Sequence, residues 1–270
     1  MDWSKTKTIF IIVFAVLNVF LYSLYVNRFT ELQRLEVLGE TKIEDRLKID
    51  GITYQKLPEI ANASYVSGEG RIFGPELQKD LNDQEIRLLE DGSVVEAELK
   101  KPVSIKGEGD SLDFSEFLGK HVKGGTSYTL WKSNEKKREA VFFQQIGPYP
   151  IYFNANSTLV VNWNEDLEVT DYVQKMMDEL VPSNEEKDLF PPIQAINALY
   201  SKGMLKTDSE ITKVEMGYSP LVMLTQTQVF APTWHIHVKL NDGATEDYFV
   251  NAVDGKILDK LPEQISGEDG

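Results

Sequence analysis

The chain has 270 residues, enough for two domains of ordinary size, and is 41% hydrophobic, 10% aromatic and 26% charged. That composition excludes a disordered chain, a collagen-like fibre and a protein that crosses a membrane many times. Forty-three acidic against 28 basic residues leave a net charge of −15, which argues against any nucleic acid as partner, since binding to phosphate backbones depends on clustered Lys and Arg. With no cysteine there is no disulfide, thiol nucleophile or thiolate metal site.

The most informative stretch comes first. Residues 9–26 form an uncharged run in which only Asn18 and Ser23 are strongly polar. Eighteen helical residues rise about 27 Å, close to the hydrocarbon thickness of a bilayer. Tyr22 and Tyr25 sit towards the far end, where aromatic rings favour the headgroup region. A cleaved signal peptide fits less well, because its apolar run is shorter and ends at small residues, whereas this one leaves through Tyr22, Leu24 and Tyr25. The run is therefore read as a retained transmembrane helix.

The Lys/Arg count around this helix is nearly balanced, Lys5 and Lys7 before it and Arg28 and Arg34 after it. The short basic stretch 1–8 favours a cytoplasmic N-terminus, with the remainder extracellular. Residues 1–8 carry +1 and residues 9–26 no charge, so residues 27–270 carry −16. Asn18 lies near mid-span, where an amide is either tolerated or finds an interhelical hydrogen bond. Together with Tyr22, Ser23 and Tyr25 it forms the candidate contact set for a partner's transmembrane helix.

After the span, Phe29, Leu32, Leu35 and Leu38 recur every three residues, and Ile43 and Leu47 follow beyond Gly39. This predicts a helical stalk over 27–50 with a second short helix after the glycine. From residue 50 the period changes. Alternating runs on either side of Asp91-Gly92 predict a hairpin, and Pro102 predicts an edge or a new segment at Val103. Residues 113–122 read as a short helix ended by Gly124-Gly125. Strands are predicted over 127–132, 139–145, 151–153 and 158–163, with 168–172 pairing back and 173–180 turning helical before Pro182. Residues 184–188 read as a charged connector. A helix opens at Pro191-Pro192 and stops at Gly203, followed by strands over 211–218, 221–229, 235–240 and 247–250.

Two helices, beginning near Ser115 and Ile193, are each followed by several antiparallel strands. The expected fold is therefore α+β: one transmembrane helix, then an extracellular region of two tandem sheet-plus-helix units. The expected divisions are a cytoplasmic tail 1–8, the span 9–26, the stalk 27–50, a first domain 51–183, a second domain 184–262 and a tail 263–270.

Chemistry is sparse. No phosphate loop, dinucleotide fingerprint or nucleophile elbow is present. His121 has no visible partner and reads as a surface or capping residue. His235 and His237, two apart in a strand, point to one face and could place two metal ligands. No third ligand is visible, so the pair reads as a polar sheet face and no metal or cofactor is expected. The acidic pairs Glu165-Asp166, Glu185-Glu186 and Glu246-Asp247 fall in turns or connectors rather than in a pocket that would raise a general acid. Of the aromatics Trp131, Tyr149, Tyr152, Trp163, Trp234 and Tyr248, most are expected in the core and some on a contact face.

The opening Met1-Asp2-Trp3-Ser4-Lys5-Thr6-Lys7-Thr8-Ile9-Phe10, running straight into the span, resembles the start of the YycI (WalI) family. Phe142-x-Gln144 with Tyr149-Pro150-Ile151, Asp171-Tyr172-Val173-Gln174, and Tyr248-Phe249-Val250-Asn251 near Asp254-Gly255 resemble that family's ectodomain and, more generally, PepSY-like and YycH-like modules. The resemblance implies a non-enzymatic, single-pass regulator of low-GC Gram-positive bacteria, with its bulk outside the membrane. It implies action with a sister protein, YycH (WalH), on the sensor histidine kinase YycG (WalK) that controls cell-wall metabolism, partly through transmembrane helices. It carries no catalytic residues. An anchored envelope enzyme or protease inhibitor on PepSY-like units stays open as the alternative. A carboxylate or His cluster in a deep pocket would favour it, and a shallow, partly apolar face would favour the regulator.

Overall fold

The computed structural model describes residues 3–37, 42–107, 112–223 and 227–258, in two bodies, 1–49 and 50–270. In the first body α1 (Trp3–Val37) runs 35 residues, about 52 Å at 1.5 Å per residue, because neither glycine nor proline interrupts it. Within it the 18-residue window Lys7–Leu24 is long and apolar enough to cross a membrane, and none of that window is buried. The helix backbone continues past the apolar run to Val37, and α2 (Ile43–Ile49) follows, so both expected stalk helices form. Gly39 and the expected tail 263–270 lie outside the described residues.

Among the described residues the second body contains two seven-stranded sheets. The first is built by β1 (Thr53–Tyr54), β2 (Asn62–Gly70), β10 (Met177–Asp188), β11 (Glu210–Met223), β12 (Thr227–Lys239), β13 (Thr245–Asn251) and β14 (Ile257–Leu258). The second uses β3 (Gln84–Leu89), β4 (Val94–Ser104), β5 (Tyr128–Asn134), β6 (Glu139–Ile146), β7 (Tyr149–Pro150), β8 (Thr158–Trp163) and β9 (Glu168–Gln174). Its order is β3-β4-β9-β8-β6-β5, with β7 paired to β6. The sheets do not follow the expected division at 183/184. Strands β1 and β2 belong with β10–β14, so the second sheet is inserted within the chain that forms the first.

In the second sheet the expected hairpin forms, with Leu89 opposite Val94. Gly92 turns at φ 92°, and a Cβ there would meet the Phe73 carbonyl at 2.5 Å, so only glycine fits. Pro102 does not end its strand. β4 runs on to Ser104, and its pairing with β9 shifts register between Glu98 and Val103, as expected where a residue lacks its N–H. Leu159, Val161 and Trp163 alternate inward from β8 onto α4 (Ser115–His121), where Phe117 and Leu118 are buried in the same core. Phe114 sets its ring edge-on to Phe142, with centroids 5.2 Å apart.

In the first sheet α5 (Pro192–Ser201) starts at a proline and buries Ala195, Ile196 and Leu199. The Trp234 indole N–H donates to the Phe190 carbonyl at 2.7 Å, just ahead of α5. α4 is followed by the meander β5-β6-β8-β9, and α5 by β11-β12-β13-β14.

Four further runs differ from their expected elements. Residues 173–180 finish β9 and begin β10 instead of forming a helix. A register shift between Asp178 and Val181, with Glu179 at φ 50°, breaks the two-residue alternation that would have marked a strand. Residues 184–188 are strand, not connector: Lys187 pairs with Ala63 and Asp188 with Asn62. Their charges belong to an exposed edge strand, where charge discourages further pairing. The run 221–229 is divided, β11 ending at Met223 and β12 starting at Thr227, with no Gly or Pro in between to signal it. Of 151–153, Ile151 makes one parallel bridge to Tyr218, while the strand itself is Tyr149–Pro150.

That bridge joins the sheets. β7 pairs with β6 of the second sheet, and the next residues run along β11 of the first, the Tyr152 N–H donating to the Tyr218 carbonyl at 2.7 Å. The Tyr152 ring covers Gly217, whose absent Cβ would lie 2.2 Å from it. Beside it, Gln144 acts as a substitute strand partner: its amide N–H donates to the Met177 carbonyl at 2.9 Å and its oxygen accepts from the Met177 N–H at 2.7 Å.

Candidate functional site: a His–Asp–His cluster on the first sheet

The turn at 241–244 folds β13 back on β12 so that His237 faces Asp247 and His235 faces Phe249. On its other side β12 places Glu215 opposite His235 and Lys213 opposite His237. Directly paired residues share a face, so both imidazoles and the Asp247 carboxylate meet there. His235 Nε2 lies 2.6 Å and His237 Nδ1 2.7 Å from the same oxygen, Asp247 Oδ1. The third group absent from the sequence reading is Asp247.

The surroundings differ across the cluster. The His235 ring is buried, stacked on Phe249 at 4.9 Å, with Trp131 and Tyr152 at 5.2 and 5.3 Å. His237 and Asp247 keep about a third of their side-chain surface exposed, at 31% and 32%. Burial pushes the Asp247 carboxyl up, but the hydrogen bonds with His235 and His237 outweigh it and hold the group below its ordinary value. Lys213 is engaged by Glu215 at 2.8 Å. Among the described residues His235 Nδ1 is enclosed with no hydrogen-bond partner, as is the Tyr152 hydroxyl. Among the described residues no serine or threonine hydroxyl therefore completes a nucleophile–His–Asp relay through His235.

The other candidates separate. Glu246 and Asp247, adjacent in a strand, face opposite sides: Glu246 takes Lys206 at 2.9 Å while Asp247 takes the histidines. Glu165 pairs with Arg138 at the surface, and Glu185 with Lys187 on the β10 edge. His121 is not the partnerless surface residue expected. Its Nδ1 is 2.6 Å from Asp83 Oδ2, without hydrogen-bond geometry, and its ring stacks on Phe117. Trp163, Tyr152 and Trp234 are core, and Trp131 is half-buried beside the His235 ring. A shallow apolar cavity of about 300 Å³, lined by Tyr65, Val66, Leu221 and Val229 among others, has no titratable group but Tyr65.

On α1 the Asn18 amide donates to the Phe14 carbonyl at 2.8 Å, which satisfies one of its N–H groups inside the helix. Positions 18, 22 and 25 fall on one helical face, whereas Ser23 lies about 140° around from Asn18 at 3.6 residues per turn. Tyr22 and Ser23 are exposed, and the Tyr25 side chain lies outside the described residues.

One unburied apolar helix of membrane-crossing length, followed in the chain by a two-sheet α+β body, is compatible with a single-pass membrane protein. The chain belongs to the YycI family, whose description, YycI protein, matches over residues 33–253. None of the curated proteins matches it. Among solved structures, an uncharacterized protein from Eubacterium rectale ATCC 33656 is similar over 78% of this chain and 91% of its own, at 11% identity and a TM-score of 0.47. YycH from Bacillus subtilis is similar over 72% of this chain and 51% of its own, at 15% identity and a TM-score of 0.38. At those scores neither likeness carries an argument about fold or function.

Proposed function

We propose that this protein is a non-catalytic accessory regulator of the sensor histidine kinase YycG (WalK), acting together with YycH through protein contacts. Membership of the YycI family over most of the chain is the observation that carries this reading. In it, α1 crosses the membrane once with residues 1–8 in the cytoplasm, and residues 50–270 lie outside. The α4 and α5 meanders are two PepSY-like units. The face of α1 bearing Asn18, Tyr22 and Tyr25 meets a neighbouring transmembrane helix, where Asn18 still has one N–H and its carbonyl to offer.

The envelope-enzyme alternative has less support. The His–Asp–His cluster is its best feature, but among the described residues no nucleophile is hydrogen-bonded to His235. The test is a reporter of kinase output in cells with and without the gene for this chain. Removal of the chain shifts the output, and the full chain supplied in trans restores it. An output indifferent to the chain would remove the regulator reading and leave the enzyme reading to be tested on wall substrates.

A further inference from the structure

Three donor atoms of types suited to a borderline metal converge where no activity or ligand is assigned. The imidazole nitrogens of His235 and His237 and the Asp247 carboxylate lie within 4.8 Å of one another, and among the described residues no other three such groups do so. We propose that His235, His237 and Asp247 bind a divalent transition-metal ion of the zinc class, with one or more positions left to water or an incoming ligand.

Two neutral imidazoles and one carboxylate are a donor set for Zn²⁺, Ni²⁺ or Cu²⁺, and a poor one for Mg²⁺ or Ca²⁺, which take oxygen ligands. Bonds near 2.0–2.1 Å at tetrahedral angles place neighbouring ligand atoms about 3.3 Å apart. The two carboxylate–imidazole separations of 2.6 and 2.7 Å would open by about 0.6–0.7 Å to admit the ion. All three residues stand on paired strands, so the backbone already holds them in place, and the exposed third of His237 and Asp247 supplies the way in. The cation nearest in register, Lys213, is occupied by Glu215.

One feature limits the affinity. Metal on Nε2 places the remaining His235 proton on Nδ1, which is enclosed without an acceptor. A ligand histidine lacking that second hydrogen bond typically binds metal about 10- to 100-fold more weakly. The site is therefore one for reversible occupancy rather than a permanent structural ion.

The test uses the full chain without a histidine tag, in detergent or nanodiscs, titrated with Zn²⁺, Co²⁺ and Mg²⁺. One equivalent of Zn²⁺ should bind saturably and raise the unfolding temperature, Co²⁺ should acquire visible d–d bands, and Mg²⁺ should do neither. His237→Ala and Asp247→Asn should each weaken Zn²⁺ binding by about tenfold or more, while His121→Ala leaves it unchanged. Should those variants fail to fold, the unaltered chain decides through its ring-proton resonances, because bound Co²⁺ must shift His235 and His237 and spare His121. No saturable binding, binding indifferent to the substitutions in folded protein, or shifts confined to His121 would overturn the site. None of these outcomes depends on the kinase.

Discussion

At Tyr152 a phenol is buried to 1% exposure with its hydroxyl unpartnered, an arrangement that costs stability without a compensating bond. Tyr152→Phe keeps the ring over Gly217 and removes the unpaired group, so equilibrium unfolding at neutral pH should show unchanged or higher stability, by up to about 1 kcal/mol. A clear loss would mean that the hydroxyl has a hydrogen-bonding role. The same residue sets a pH signature. Burial raises Tyr128, Tyr152 and Tyr172, so the folded state holds their protons more tightly than the unfolded chain does. Their contribution is intact below the ordinary tyrosine value of about 10 and is lost as pH rises above it. Denaturant midpoints should fall from about pH 10 upward, and Tyr152→Phe should fall less steeply. Equal slopes would contradict the assignment.

The pairing of His237 with Asp247 was within reach of the sequence. Asn241-Asp242-Gly243 marks the turn, and counting outward from Asp242 brings residue 237 opposite 247. Reading the two histidines without completing the hairpin left Asp247 in an acidic pair. By contrast, the burial of His235 under Trp131 and Tyr152 comes from segments 83 to 104 residues away, which no local pattern encodes.

Among the elements, those with strong local signals formed where they were expected. The Asp91-Gly92 hairpin, the proline-started α5 and the strands at 139–145 and 158–163 depend on turn chemistry and alternation within a few residues. β10 did not, because a bulge and an acidic exposed face remove both strand signals. Two contacts that hold the sheets together are testable. Gln144→Ala strips the Met177 backbone of both buried hydrogen bonds and should cost about 2 kcal/mol in denaturant unfolding. A change near zero would mean the Met177 groups find other partners. Gly217→Ala drives a methyl into the Tyr152 ring and should cost about 1–3 kcal/mol. In a double-mutant cycle with Tyr152→Ala the part of that cost due to the ring should vanish while the part due to the Pro150 carbonyl, 2.7 Å from the added Cβ, stays; strict additivity would exclude the ring clash.

For the whole molecule, the charge balance, the apolar run at 9–26 and the order of predicted elements pointed to an acidic α+β protein with one apolar helix, and the structure has that helix and two sheets. What the sequence could not reveal is how β1 and β2 leave their neighbours to join strands more than 100 residues later, since strand pairing at that separation is decided by burial and not by local pattern. In the proposed function the protein regulates a kinase through contacts that include its membrane helix. The most direct measurement compares kinase output in cells expressing the full chain with output from a chain whose residues 9–26 are replaced by a leucine-rich span. That span lacks Asn18, Tyr22 and Tyr25, and both proteins are checked for equal amounts in the membrane. The swapped chain should lose most of the regulatory effect while still inserting. If it regulates as well as the original, the helix is a tether only, and the claim that its face meets a partner is wrong.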